Sequence, residues 1–247
     1  VAKQVLTNVR YFVGPADLTA QTNKVELDNA FEEKDVTNYG SSGKKEVIAG
    51  IESIALSAEG FWQGGDPGYA DDEFWGARGV IEAHTVGPIS ATVGDPAYVT
   101  QAVRLSAKNF GAVGDVAMFT LSATGSYPLG RGNFLMSPGT AVTTTGTGTA
   151  VQAGAVASGQ GLYATLHILS VAGASTPTIT VKVQSDDNSG MTTPTDVITF
   201  TAATAVGSQI SRAAGPITDT YFRVSYTVTG GGGTSFLAVV AVGIGSY

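Results

Sequence analysis

The sequence predicts an all-β chain with one short helix, arranged as one β-sandwich or barrel followed by a second, jelly-roll-like β-sandwich. Three observations point there. Apolar residues alternate with polar or small ones at a period of two through most of the 247 residues, and helical periodicity is nearly absent. The breaks between alternating runs are turn sequences such as Asp186-Asp187-Asn188-Ser189-Gly190 and Gly230-Gly231-Gly232-Gly233. Charged residues make up only 13%, against a globular norm of about a quarter, while glycine reaches 33 residues. Such a surface suits a subunit covered by copies of itself, although a secreted β-domain would have a similar composition.

Taken in order, Val5, Thr7, Val9, Tyr11 and Val13 share one face of a first strand. Asn23-Lys24-Val25-Glu26-Leu27 starts a second strand, with Val25 and Leu27 set between charged residues. Lys34 to Gly43, including Tyr39-Gly40-Ser41-Ser42-Gly43, has the chemistry of a polar hairpin tip, and Gly50 to Trp62 returns as a third strand on which Ile54 and Leu56 alternate with small residues. A helix is expected at Asp71 to Arg78, with three acids in its first turn, Arg78 in its last and Gly79 as its stop. Val99, Gln101, Val103 and Leu105 share a face of a later strand, and Val116 to Ser122 follows.

Between Pro138 and Gly161 the chain turns to Thr, Gly, Ala and Ser, which places a boundary near Pro138 and predicts domains at 1–138 and 139–247. Beyond it, strands are expected at Leu162–Val171, Ile179–Gln184, Val197–Phe200, Tyr221–Thr229 and Phe236–Ile244. No internal repeat links the halves.

The chemistry that the residues exclude is informative. With no cysteine there is neither a disulfide framework nor a thiolate metal site. Asp186, Asp187 and Asn188 are hard oxygen donors, but their spacing does not match an EF-hand and a solvated turn is the better reading. His84 and His167, the only histidines, fall in different predicted domains, which favours ordinary strand positions over a shared site. Gly43-Lys44 fails as a phosphate loop, because Asn38 stands where that motif needs Gly and Lys45 where it needs Ser or Thr. No Gly-x-Ser-x-Gly elbow is present. Phe61-Trp62 and Phe74-Trp75 are best read as packing of the helix on the sheet. No catalytic set, metal site or cofactor is therefore expected, and the chain is not read as an enzyme.

Net charge is −7, and its distribution says more than its size: residues 1–100 carry −8 and residues 101–247 carry +1. A basic, aromatic-interleaved nucleic-acid footprint is absent. An acidic wall would let a polyanion slide past without adhering, while the alternative is that these acids simply solvate an outer surface. Val1 to Val5 has no signal-sequence character and Phe236–Ile244 is too short to span a membrane, so the chain is expected to be soluble and made in the cytosol. A start at Val1 suggests a removed initiator Met or a trimmed chain.

The blocks Asp17-Leu18-Thr19, Asn23 to Leu27, Lys34 to Gly43 and Gly50 to Trp62, in this order, resemble the major tail tube protein of long, non-contractile-tailed bacteriophages. Likeness is strongest over residues 5–75 and continues more loosely through Gly94-Asp95-Pro96-Ala97-Tyr98, Leu129-Gly130-Arg131-Gly132, Gly146 to Gln152, Val183 to Asp187 and Thr218 to Ser225. The resemblance implies a tail-tube β-domain whose subunits form hexameric rings around a DNA-wide bore, with rings stacked into a tube in the virion. It implies that the hairpin 33–47 reaches the neighbouring ring, through Asp35, Val36, Thr37, Asn38, Tyr39, Gly40, Ser41, Ser42, Gly43, Lys44 and Lys45. Glu26, Asp28, Glu52 and Glu59, on or beside predicted strands, become candidate bore acids, and the second domain faces outward. Its partners would be other copies of itself and tape-measure, tail-tip and tail-terminator proteins, with DNA passing unbound and no membrane involved. The competing reading is a carbohydrate-binding or adhesive β-sandwich, such as a fibre or capsid decoration component; it accounts for residues 139–247 but not for the block order in 17–62.

Overall fold

The computed structural model describes residues 5–65 and 69–247. Val1–Gln4, read above for a signal sequence, lie outside the described residues. The chain is almost entirely antiparallel β-structure with one short helix, as its alternation requires. The first half contains β1 (Arg10–Val13), β2 (Ala16–Asp17), β3 (Thr22–Asp35), β4 (Val47–Phe61), the helix α1 (Ala70–Gly76), β5 (Ile81–Gly87), β6 (Pro96–Asn109), β7 (Met118–Gly125) and β8 (Gly130–Met136). The second contains β9 (Gly146–Thr147), β10 (Val151–Gln152), β11 (Gln160–Ala172), β12 (Thr178–Asp186), β13 (Thr195–Thr199), β14 (Gly207–Ala214), β15 (Tyr221–Thr229) and β16 (Ser235–Ser246).

An eleven-stranded sheet runs β14-β11-β16-β8-β6-β5-β1-β2, and a five-stranded sheet is built from β9, β10, β12, β13 and β15. The large sheet forks at β6. Its first residues, Pro96–Val99, pair with β8, and its later ones, Ala102–Asn109, pair with β7, which leads on to β4 and then β3. The large sheet also crosses residue 138: β16 pairs with β8 from Ile244↔Arg131 to Val240↔Met136. The loop at Pro138 therefore separates two stretches of sequence that share one sheet.

Three cores result. Alternate residues of β11 (Leu162, Ala164, Leu166, Ile168) and β16 (Ala238, Val240, Val242) pack against β12 and β15 as a β-sandwich. The opposite faces of the same two strands contribute Tyr163, Val239 and Ala241 to a second core with Phe12, Val99 and Phe134. Burial on both faces explains why Phe236–Ile244 reads as a nearly continuous apolar run. The third core lies under the β3-β4-β7 arm and holds Tyr11, Leu18, Leu56, Phe74, Phe119 and Leu121.

Four expectations are corrected. The first strand starts at Arg10, not Val5, since Val5 and Leu6 have no core to cover and are 79% and 66% exposed. The helix ends at Gly76, so Arg78 is outside it and its guanidinium stacks on Trp75, 4.1 Å from the ring centroid. Phe74 packs on Phe119 at 4.7 Å as expected, but Trp75 and Phe61 face outward. On β6 the fully buried residues after Val99 are Thr100, Ala102 and Arg104, while Leu105 is exposed, because α1 and β5 supply polar partners to an inward arginine.

The histidines are also closer in space than in sequence. His84 on β5 and His167 on β11 both face the buried interior, and Thr85 connects the strands. His167 Nδ1 lies 2.7 Å from the Gly14 carbonyl, which can only accept, so Nδ1 carries the proton. Nε2 then accepts from the Thr85 hydroxyl, which in turn accepts from Thr165. This chain of bonds pins the β1–β2 turn to the second half.

Burial holds both imidazoles neutral, lowering His84 to about 3, with the charge of Arg104 and then His167 adding to the effect, and His167 to about 4. Between those values and the ordinary 6.5, the unfolded chain binds protons that the folded chain refuses. Stability should therefore fall as pH drops from 6.5 towards 4, by about 1.4 kcal/mol per pH unit per histidine. Urea titrations should show this slope and its reduction in His84→Gln; a midpoint independent of pH would contradict neutral burial. At the β8–β16 junction the strands approach so closely that a Cβ on Gly243 would sit 2.5 Å from the Gly130 carbonyl carbon. Gly243→Val should cost at least about 2 kcal/mol in the same titration, and an unchanged midpoint would show that the junction can relax.

Candidate assembly interface

The β3–β4 hairpin is the feature around which the sequence-predicted site residues gather. Its registers set three rows across one sheet face: Lys24–Glu59–Thr120–Lys108, Glu26–Ser57–Ser122–Ser106 and Asp28–Ala55–Thr124–Val103. The alternate rows, Val25–Ala58–Leu121–Ala107 and Leu27–Leu56–Ala123–Arg104, face the core beneath. One face is thus packed and the other is open, polar and rich in hydroxyls.

Glu26, Asp28 and Glu59 lie together on the open face, and Glu52 does not. Glu52 pairs with Phe31 and shares the parity of Ile54 and Leu56, and its Oε2 accepts from Ser246 at 3.2 Å. Lys24 lies 3.0 Å from Glu26 and 3.8 Å from Glu59. A hydrogen bond from Lys24, with another from Ser57, lowers the Glu26 pKa, and the hydrogen bond to Glu26 raises that of Lys24. With Lys108 in the same row, the face is only mildly acidic.

Beyond this arm the hairpin projects. β7 pairs with β4 only from Ala55 to Phe61, so Val47–Ile54 has β3 as its sole partner and extends about 25 Å past β7 at the usual strand rise. β3, 14 residues long, pairs with β4 alone, and its other edge has no partner among the described residues. The projecting part exposes Phe31 (58%), Ile48 (56%), Ile51 (77%) and Val47 (50%).

The tip, Val36–Glu46, is ordered by its own bonds. Asp35 accepts from the Thr37 amide at 2.8 Å, and bonding to the Thr37 side chain, then to its amide, lowers the Asp35 pKa. The Asn38 side chain accepts from the Gly40 amide at 2.8 Å, Ser41 Oγ accepts from the Asn38 amide at 3.1 Å, and a 3-10 turn spans Tyr39–Ser41. Ser42 and Gly43 then take φ of 52° and 75° to reverse the chain. Thr37 Oγ1 accepts from the Glu46 amide at 3.0 Å and closes the loop. Lys34 pairs with Glu32 and Lys45 with Glu33, whereas Lys44 forms no ion pair among the described residues. Tyr39 is fully exposed and Val36 partly so. The loop 35–45 is therefore a preformed knob that presents Tyr39 and Lys44.

A buried polar cluster under the arm was not legible in advance. Arg104 is 1% exposed; its Nη2 donates to Glu82 at 2.6 Å and its Nη1 to the backbone carbonyl of Glu73 in α1. The one sequence signal was an arginine at the same parity as Thr100 and Ala102 in β6. Desolvation raises the pKa of Glu82, opposed by the charge and hydrogen bond of Arg104.

Among the described residues, no cluster of three or more His, Cys, Asp or Glu could hold a metal ion, and no helix is long and apolar enough to cross a membrane. No protein-family model and no curated protein sequence matches this chain. Solved structures give likenesses. One is the tail of an empty gene transfer agent particle, at 19% identity and a TM-score of 0.37, covering 44% of this chain and 80% of that one. Another is the SPP1 tail tube, at 11% identity and a TM-score of 0.40, covering 51% of this chain and 77% of the other. A third is the SPP1 Dit protein, described as a hub of the adsorption apparatus, at 14% identity and a TM-score of 0.37, covering 96% of this chain and 99% of that one.

Removing one member of a buried ion pair strands the other in low dielectric, typically at about 3–5 kcal/mol. Arg104→Ala should therefore lose most of the chain's stability margin and release α1, seen as faster amide exchange at Phe74 and Trp75. Near-native exchange there would show that α1 is held by apolar contacts alone.

Proposed function

We propose that the chain is a structural subunit of a bacteriophage tail tube, whose copies close into hexameric rings and whose rings stack into the conduit for DNA ejection. The observation that carries this is the projecting β3–β4 hairpin, with its unpartnered 14-residue edge. A long edge strand templates uncontrolled pairing unless it is covered, and closing a ring of copies covers every such edge at once. A projecting hairpin with exposed Phe31, Ile48 and Ile51 is costly in an isolated protein and useful in an assembled one.

In this reading the open face bearing Glu26, Asp28 and Glu59 lines the bore. With Lys24 engaged by Glu26 and Glu59, Lys108 is the one other cation in these three rows, and a slight excess of acids leaves DNA few phosphate-neutralising contacts, so the polyanion passes without adhering firmly. Glu52, on the opposite face, lies away from the bore. The sandwich of residues 139–247 faces outward as a brace. The reading assigns the chain no catalytic step or cofactor. It places the chain in the virion after synthesis in the host cytoplasm, with tape-measure, tail-tip and tail-terminator proteins as partners.

Because the tip is closed by local hydrogen bonds, removing Asn38–Gly43 should leave the packed arm intact. The deletion variant should be soluble, with a circular dichroism spectrum and melting temperature close to the parent's, yet form no tubes under negative-stain microscopy. Tubes of normal length from the variant would refute the stacking role of the tip.

A further inference from the structure

The hairpin tip has a structural counterpart at the other end of the same strands. β4 runs from the tip at Val47 to Phe61, where it pairs with Met118, so the β6–β7 turn, residues 110–117, lies at the end opposite the tip. That end carries an apolar patch: Phe61 is 45% exposed, Phe110 63%, Val116 66% and Val113 fully exposed. The patch is built and not frayed. Phe110 packs against Trp62 in a tilted arrangement with ring centroids 5.3 Å apart, the Phe110 amide donates to the Met118 carbonyl at 2.8 Å, and the Trp62 amide donates to the Ala117 carbonyl at 2.9 Å. Trp62 Nε1 in turn donates to Asp71 of α1 at 3.0 Å, which fixes the indole as a base for Phe110.

We infer that this patch on one copy receives the β3–β4 hairpin tip of a second copy, with Tyr39 seated against Phe110, Val113 and Val116. The inference rests on the tube reading and deepens it by naming the receiving surface. Two observations select a second copy as the occupant. The chain presents two exposed apolar features at opposite ends of one ladder, which is the condition for a head-to-tail contact that repeats along the strand direction without closing. Unpaired charges of opposite sign are also available to it: Lys44 beside Glu46 on the tip, and Asp72 and Asp115 with Lys108 at the receiving end, none of which forms an ion pair among the described residues. A tip-to-tip contact would instead set Lys44 against Lys44 and leave the Phe110 patch in water.

The absence of cysteine from the chain makes the test direct. Tyr39→Cys and Val113→Cys, both at fully exposed positions, are prepared as separate full-length chains, with Val116→Cys as a second receiving position. They are mixed and treated with a flexible bis-maleimide. The expected result is a covalent dimer in the mixtures of the tip variant with either receiving variant, several-fold more abundant than in any variant alone. Mixtures that yield no more dimer than the single variants, or dimers as abundant from Tyr39→Cys alone, would overturn the inference. Microscopy of the unmodified chain separates the two levels. Tubes without the cross-link would leave the tube reading standing and remove this receiving surface; the cross-link without tubes would do the reverse.

Discussion

The ladder between β8 and β16 is the constraint on which the rest of the molecule depends. β16 enters two cores, with Ala238, Val240 and Val242 on one side and Val239 and Ala241 on the other, and β8 does the same through Leu135 and Phe134. β8 ties it to β6, from which the β7-β4-β3 arm departs. Gly132 and Gly243 let the two backbones approach where any side chain would collide. The hydrogen-bond chain from Gly14 through His167, Thr85 and Thr165 adds a second tie between the halves, from the β1–β2 turn and β5 to β11. A projecting hairpin needs such an anchor, because it has no core of its own beyond Ile54.

Given that anchor, the arm can keep one face bare. Leu27, Leu56, Leu121 and Phe119 bury their side chains against Tyr11, Leu18 and Phe74, and this burial supplies the stability that the open rows of Ser, Thr and acids do not. The open rows are therefore free to serve another purpose, and mutation there should leave folding largely intact. The tip shows the same separation at smaller scale, since its shape comes from Asp35, Thr37, Asn38 and Ser41, leaving Tyr39 and Lys44 unengaged.

Much of this was legible in the sequence where one side of a strand is wet. The alternation of Val25 and Leu27, and of Ile54 and Leu56, identified both hairpin strands and the faces they bury. The polar run Thr37–Gly43 identified the tip. Reading failed where neighbours override the pattern. β5, β8 and β14 escaped notice because His84 and Thr85 are buried through hydrogen bonds, because Gly130 and Gly132 are selected for close approach, and because Ser208, Gln209 and Ser211 sit in a half-buried strand with little apolar signal. Arg104 inverted the apparent face of β6 because its partners come from β5 and α1. Glu52 was separable from Glu59 by parity alone, since it shares the face of Ile54 and Leu56 on β4. The open edge of β3 has no sequence signature at all, since a missing neighbour leaves no mark on alternation.

The central claim is that the free edge and projecting hairpin are completed by other copies of the chain. A cryo-EM reconstruction of the particles formed by the purified, unmodified protein tests it most directly. The account predicts stacked rings in which the outer edge of β3 is hydrogen-bonded to a neighbouring subunit and the rows bearing Glu26, Asp28 and Glu59 face the bore. Particles in which that edge stays open to solvent, or in which those rows face outward, would contradict it.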